Sequence, residues 1–231
     1  MNKILVVAAH PDDELLGCGG TIIEHIKKGD KVGMLIVSEG VTSRDEKRNY
    51  PKRKKEIEHL HSISKNIVKK MGVNFIKFFD FPDNRLDKIN LIDIVKKIEK
   101  IISSFKPNII YTHHGDDLNI DHEIVNRAVL TAARPIPKHP VLKIYSFEVL
   151  SSTHWIEPTK RKAFVPNYFR DISHSLKEKI KYLGMYKGEM RKWPHARSLK
   201  SIKDLALFRG SSVGLKAAEA FQLIREIKRE K

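Results

Sequence analysis

Two short segments hold most of the residues able to do chemistry. One is His10-Pro11-Asp12-Asp13-Glu14; the other runs from His113-His114-Gly115-Asp116-Asp117 through Leu118-Asn119-Ile120-Asp121-His122. Neutral imidazole and carboxylate suit zinc, and three protein ligands with one open position mark a catalytic rather than a structural centre. His10, Asp13 and His122 form such a two-His, one-carboxylate set, which accepts Zn2+ or Fe2+. A lone Asp at a strand–helix junction is ordinarily a helix cap. A cap needs one Asp rather than two, and it needs no preceding His. The joint pattern therefore points to a metal site. Rival chemistries fit less well. Gly17-Cys18-Gly19-Gly20 fails the dinucleotide fingerprint, because Ile22 occupies the third glycine position and the glycines lie inside the helix pattern. Close packing of helix on sheet explains them better, with Cys18 a small buried apolar residue. No Walker-type loop occurs.

For the two segments to meet, each must end a strand of one sheet, where the sites of open α/β folds gather. The apolar patterning predicts strands over residues 3–10, 31–38, 74–81, 108–112 and 141–150. Between them it predicts helices over 14–28, 51–70, 91–105 and 122–133. Continuous apolar strands alternating with helices imply an α/β fold: a Rossmann-like, mostly parallel sheet with helices on both faces. The remainder is less regular. An added strand is expected over 163–168 and helices over 176–190, 202–208 and 215–227. With no repeat and no clear linker, the reading is one domain over 1–231, a core of 1–150 carrying a C-terminal α/β extension over 151–231.

The 231 residues are 41% hydrophobic, enough to bury a core and exclude wholesale disorder. One cysteine excludes an internal disulfide framework and a cysteine-only metal site. No stretch approaches a membrane span, and the apolar run 4–9 is too short for a signal-peptide core, so a cytoplasmic location is expected. Net charge is +16, of which +11 falls in residues 151–231 (19 basic, 8 acidic). That surplus suits an anionic partner, or equally a solvated lysine-rich surface. No RRM, KH or zinc-finger signature supports a specific nucleic-acid partner.

AAHPDDELLGCGGT (8–21) together with HHGDDLNIDHEIVNRAV (113–129) resembles the PIG-L/LmbE-like family of zinc-dependent N-deacetylases. Supporting likenesses are FPDNR (81–85), EVLSST (148–153), PHARS (194–198, with Ala196 at a proline position), and the stretch from Val213-Gly214 to Phe221, which resembles the family's C-terminal helix. The resemblance implies one zinc per chain, held by His10, Asp13 and His122, with Asp12 as general base. It further implies release of acetate from an N-acetylglucosamine-type sugar in a glycoconjugate or nucleotide-linked intermediate, with a homo-oligomer as one possible assembly. Asp121 either orients a ligand imidazole or caps the helix before His122. Some members carry a histidine, thought to support the oxyanion, where this chain has Asn119. An Asn amide can donate to an oxyanion; His113, His195 or a backbone N–H are the other choices.

Arg44, Asp83, Asn84 and Arg197 are candidate substrate contacts, on loops at the expected sheet end or in the late motif. Arg44 and the basic tail would tolerate a phosphate-bearing aglycone. Trp155 and Trp193 read first as packing residues, with stacking on a sugar ring as their other use. The alternative function is a non-catalytic binding protein for an anionic sugar or other polyanion.

Overall fold

The structure is a computed structural model that describes residues 1–135, 140–157 and 163–228. Seven strands form one sheet in the order β3-β2-β1-β4-β5-β7-β6. The first five are parallel: β1 (Lys3–Ala8), β2 (Lys31–Ser38), β3 (Phe75–Phe81), β4 (Ile109–His113) and β5 (Lys143–Phe147). β6 (Tyr168–Asp171) and β7 (Ala218–Glu226) complete one edge, with β7 antiparallel to both neighbours. The helices are α1 (Asp13–Lys27), α2 (Tyr50–Met71), α3 (Leu91–Phe105), α4 (Ile120–Ala132), α5 (Leu176–Leu183) and α6 (Leu199–Ser211).

The alternation of β1 sorts the core into two layers. Ile4 and Val6 pack with residues of α1 and α2, whereas Leu5 and Val7 pack with residues of α3 and α4. The chain runs outward from β1 through β2 to β3, then crosses to β4 on the other side of β1. The carboxyl ends of β1 and β4 are therefore neighbours where the strand order reverses, the crevice position of open α/β sheets. Of the α1 glycines, Gly17 lies against the sheet and Gly20 against the residue that follows β6. A Cβ on Gly17 would come within 2.2 Å of the Phe147 ring, and one on Gly20 within 2.7 Å of Ile172.

The C-terminal third departs from the sequence reading. Residues 215–227 are not a helix, and neither is the 213–221 stretch; most of this segment is strand β7. Ala217, Ala218, Ala220, Phe221 and Leu223 have a spacing that also suits a helix, and alanine favours one. Ladders to β5 on one side and β6 on the other override that preference. The added strand lies at Tyr168–Asp171 rather than 163–168. The helix expected over 176–190 stops at Leu183, before Gly184, and residues 185–190 continue as hydrogen-bonded turns. α6 is longer than expected, beginning at Leu199 after the N-cap Ser198, whose hydroxyl accepts the Ser201 N–H. β5 spans Lys143–Phe147, so the strand expected over 141–150 is shorter and residues 148–150 lie outside it.

β7 also repairs a break in α1. Cys18 has non-helical angles (φ −146°, ψ 23°), which frees amides and carbonyls in mid-helix. The Glu219 carboxylate accepts the Gly20 and Thr21 N–H groups at 2.8 and 2.7 Å. Lys179 donates to the Leu16 carbonyl at 2.9 Å and to Glu219 at 2.6 Å. Both side chains are buried. Replacing one member of a buried pair leaves the other charge uncompensated. Lys179→Met is expected to cost about 3–5 kcal/mol in equilibrium denaturation; a wild-type midpoint would show that the pair contributes nothing.

Candidate active site

The end of β1 turns into α1 through an unusual residue. Asp12 has φ 105°, ψ −27°, a left-handed conformation that non-glycine residues seldom adopt. It occupies the N-cap position of α1, yet its side chain makes no capping bond. The carboxylate instead accepts from Arg197 Nη2 at 2.9 Å through Oδ1, and Oδ2 is buried without a partner. The turn is held from behind. The Asp12 N–H donates to Glu14 Oε2 at 3.0 Å, and Tyr186 OH donates to Glu14 Oε1 at 3.0 Å while contacting Ser64 Oγ at 2.8 Å.

Asp13 points the other way, into a group of imidazoles. Its Oδ2 lies 3.0 Å from His10 Nδ1, 3.1 Å from His122 Nε2 and 3.6 Å from His113 Nε2. One ligand atom from each of His10, Asp13 and His122 falls within 4.8 Å of the others, and all three residues are buried. The far nitrogens are braced. His10 Nε2 meets Asp83 at 3.1 Å and Asp121 at 3.2 Å; His122 Nδ1 meets Asp117 at 3.2 Å and Ser152 Oγ at 3.3 Å. Carboxylates behind ligating histidines are the usual support of a metal centre. Asp13 Oδ1 is also buried with no hydrogen-bond partner. The donor set and this spare oxygen fit a divalent cation.

Protonation follows the same geometry. Burial opposes charge on His10, but hydrogen bonds to Asp121, Asp13 and Asp83 raise its pKa well above the usual value. Burial likewise opposes charge on His122, and Asp13 and Asp117 raise its pKa. Asp13 is held well below the usual carboxylate range, against burial, by the charge on His122 and hydrogen bonds from His10 and His122. Asp12 is pushed well above it by burial, with Arg197 opposing and Asp13, Glu189 and Glu14 adding to the rise. Burial and the nearby His122 charge keep His113 neutral.

The other sequence candidates fall into two groups. Arg44, Asp83, Asn84, Asn119 and Arg197 all line one cleft with His10, Asp12, Asp13 and His122. Their polar groups are unequally free. Asp83 accepts from Ser43 N–H (3.0 Å) and Oγ (2.6 Å) as well as facing His10, so its carboxylate is taken up within the protein. Asn84 donates its backbone N–H to Asp121 and its side-chain amide to Asp83. Arg44 is paired with Glu189 at 2.7 Å and Glu56 at 3.3 Å. Asn119, not Asp121, caps α4, accepting the Asp121 N–H at 2.9 Å. Asp121 is left to receive the N–H groups of Asn84 and Leu86 and to brace His10. His113 lies beneath the site, stacked on His122 at 3.8 Å, with Nε2 accepting the Ala9 N–H. That position removes it from the oxyanion candidates. Trp155 and Trp193 are 54% and 57% exposed and pack into no core.

Sequence reasoning passed over Glu14, Asp117, Ser152, Tyr186 and Glu189. Asp117 stands in the second motif, five residues before His122, and was within reach. Tyr186 and Glu189 carry no local signal; only the tertiary fold brings them to Glu14 and to the two arginines.

Fold and cluster together describe a candidate metal centre at a sheet switch point. The chain belongs to the PIG-L family, described as GlcNAc-PI de-N-acetylase, whose profile matches residues 5–133. A probable N-acetyl-alpha-D-glucosaminyl L-malate deacetylase 2 of Bacillus cereus is 28% identical over 195 residues, spanning 80% of this chain and 83% of the relative. The uncharacterized deacetylase YaiS of Escherichia coli is 28% identical over 174 residues, 73% of this chain and 81% of the relative. Among solved structures, the N,N'-diacetylchitobiose deacetylase of Pyrococcus horikoshii superposes with a TM-score of 0.75 at 17% identity, over 96% of this chain and 84% of that one. The 4-carboxy-2-hydroxymuconate hydratase GalB of Pseudomonas putida superposes with 0.76 at 19% identity, over 100% and 99%.

Glu14 offers a test of the scaffold behind Asp12. Burial pushes its carboxyl up to about 7 from an ordinary 4.5, against hydrogen bonds from its own backbone, Tyr186 and Asp12. The folded state therefore holds this proton more tightly than the unfolded chain, and the stability so gained is lost as pH rises between these values. Glu14→Gln lacks the proton. In denaturation of metal-free protein, the wild type is expected to lose stability relative to the variant from pH 4.5 to about 7, with a flat difference above. A constant difference across that window would refute the assignment.

Proposed function

We propose that this chain is a metal-dependent N-deacetylase that removes the acetyl group of an N-acetylglucosamine-type sugar, with Asp12 as general base. The observation that carries the reading is the pair of adjacent carboxylates turned apart by the left-handed backbone at Asp12. Asp13 faces the imidazoles, and Asp12 faces the cleft with one uncommitted oxygen.

His10, Asp13 and His122 would hold the cation, and zinc suits the set, with Fe2+ compatible. When bound, zinc polarises an amide carbonyl and lowers the pKa of water at the open position. The rest falls to the chain's own groups. Asp12 Oδ2 takes a proton from the attacking water and delivers it to the departing amine. Burial brings its basicity towards neutrality, where such a group works best. Arg197 holds Oδ1 and so keeps Oδ2 turned to the reacting atoms. Asn119 lines the cleft with its oxygen committed to the Asp121 N–H, leaving the amide Nδ2 to donate to the oxyanion. Asp83 and Asn84 serve by fixing His10 and the loop that faces it. Arg44 and Arg197 line one side of the cleft, where a phosphate or carboxylate on the sugar's substituent would compete with Glu189 and Asp12 for their guanidinium groups. The name of the Bacillus cereus relative describes an N-acetylglucosaminyl sugar bearing malate.

Zinc-loaded protein is expected to release acetate from an N-acetylhexosamine panel, to stop on chelation and to resume on adding zinc. Asp12→Asn tolerates the same backbone and is expected to lower kcat by about 10²–10⁴-fold while retaining the metal. Full activity in that variant would sink the base assignment. A silent panel, with zinc bound, would favour the anion-binding alternative.

Metal affinity should also depend on pH. His10 and His122 hold their protons above the usual imidazole range in the metal-free protein and must surrender them to ligate. Lowering the pH is expected to weaken zinc binding by about tenfold per unit for each proton displaced, measured by competition with a chromophoric chelator. A pH-independent affinity below pH 7 would contradict ligation by these imidazoles.

A further inference from the structure

Trp155 stands where packing does not account for it. It ends the short turn Thr153–Trp155, is 54% exposed, and yet lines the same cleft as Asp12 and His122. The turn beneath it is firmly tied. Thr153 Oγ1 accepts the Val149 N–H at 2.8 Å and donates to Asp117 Oδ2 at 2.6 Å. Asp117 is the carboxylate that braces His122, and Ser152 Oγ reaches the same imidazole nitrogen at 3.3 Å. The indole is thus held in fixed relation to the reacting end of the cleft.

Among the described residues its ring neighbour is His195, met at 74° with centroids 5.8 Å apart. His195 is itself oriented, its Nδ1 accepting the Arg197 N–H at 2.9 Å. An inclined neighbour meets at most one face of the indole, and among the described residues Trp155 stays 54% exposed. Trp193 is different: the Lys200 ammonium sits 4.1 Å from its ring centroid, and a cation–π contact accounts for its exposure.

We infer that Trp155, backed by His195, forms a stacking subsite for a second pyranose ring, the one joined to the reacting N-acetyl sugar. This inference rests on the deacetylase reading and extends it. An indole face is apolar and carries the negative end of the ring quadrupole, so it repels a bare phosphate or carboxylate and suits the C–H face of a sugar. Hydroxyls at the rim of such a ring find donors nearby. Arg191 also lines the cleft, exposed, and gives only Nη1 to the Gly188 and Met190 carbonyls. The cleft volume, about 340 Å³, lies within the range of small-molecule sites.

The test uses N-acetylglucosamine and N,N'-diacetylchitobiose as probes, in a Trp193→Phe background that leaves Trp155 as the single indole of the chain. Acetate release and indole emission are measured for each sugar. The disaccharide is expected to have the lower KM and to shift the emission. Trp155→Ala should raise KM for the disaccharide about five- to tenfold more than for the monosaccharide, with kcat little changed, and Trp155→Phe should restore most of the difference. If acetate is released but neither the KM ratio nor the emission responds to residue 155, the subsite is wrong and the deacetylase reading stands. If no acetate is released from either sugar while the emission still answers to the disaccharide, the subsite stands and the deacetylase reading falls. Silence in both measurements overturns both.

Discussion

The structure turns on one buried carboxylate oxygen. Asp13 Oδ2 lies within 3.6 Å of three imidazoles, on a residue fully withdrawn from solvent. A charge so placed is costly unless its partners are fixed and well aimed. Much of the surrounding architecture supplies that fixing. β1 and β4 lie side by side, so that His10 and His122 arrive from segments 112 positions apart. Asp83, Asp121 and Asp117 grip the imidazoles from behind. These carboxylates are held in turn, by Ser43, Asn84 and Thr153. The centre is a set of nested constraints, each layer paying with its own hydrogen bonds for the rigidity of the one inside.

The sequence carried much of this arrangement and missed identifiable parts. The parallel half of the sheet was legible because its strands are continuous apolar runs separated by helices with clear ends. The cluster was legible because its members lie at strand ends in two dense motifs. The last strand was not, since its alanines and its apolar spacing suit a helix and only its neighbours on the sheet decide otherwise. The role of Asp83 was also hidden. A polar residue on a loop reads as a surface contact, and nothing local shows that it lies against His10. Of the two parts left open for Asp121, bracing an imidazole is the one it takes, and Asn119 supplies the cap; either residue can cap a helix, and the choice depends on which carboxylate is near His10.

The sheet alone does not select the chemistry. A hydratase and a deacetylase superpose on this chain about equally well, so the reaction must be argued from the groups at the switch point. The marked feature of this site is the division of labour between adjacent aspartates. A backbone conformation rarely open to a residue with a side chain sends one to the imidazoles and the other to an arginine. Glu14 and Tyr186, behind the turn, hold that conformation in place.

The stitch between Glu219 and the interrupted helix α1 bears on how the chain matures at the ribosome. Amides at positions 20 and 21 wait for a carboxylate that follows them by 199 and 198 residues. During translation the early strands can pair as they emerge. The carboxylate that closes the midpoint of the helix beginning with Asp13 is not in the chain until residue 219 has been added. A nascent fragment lacking β7 would carry every motif of the centre and still lack the Glu219 carboxylate that steadies α1.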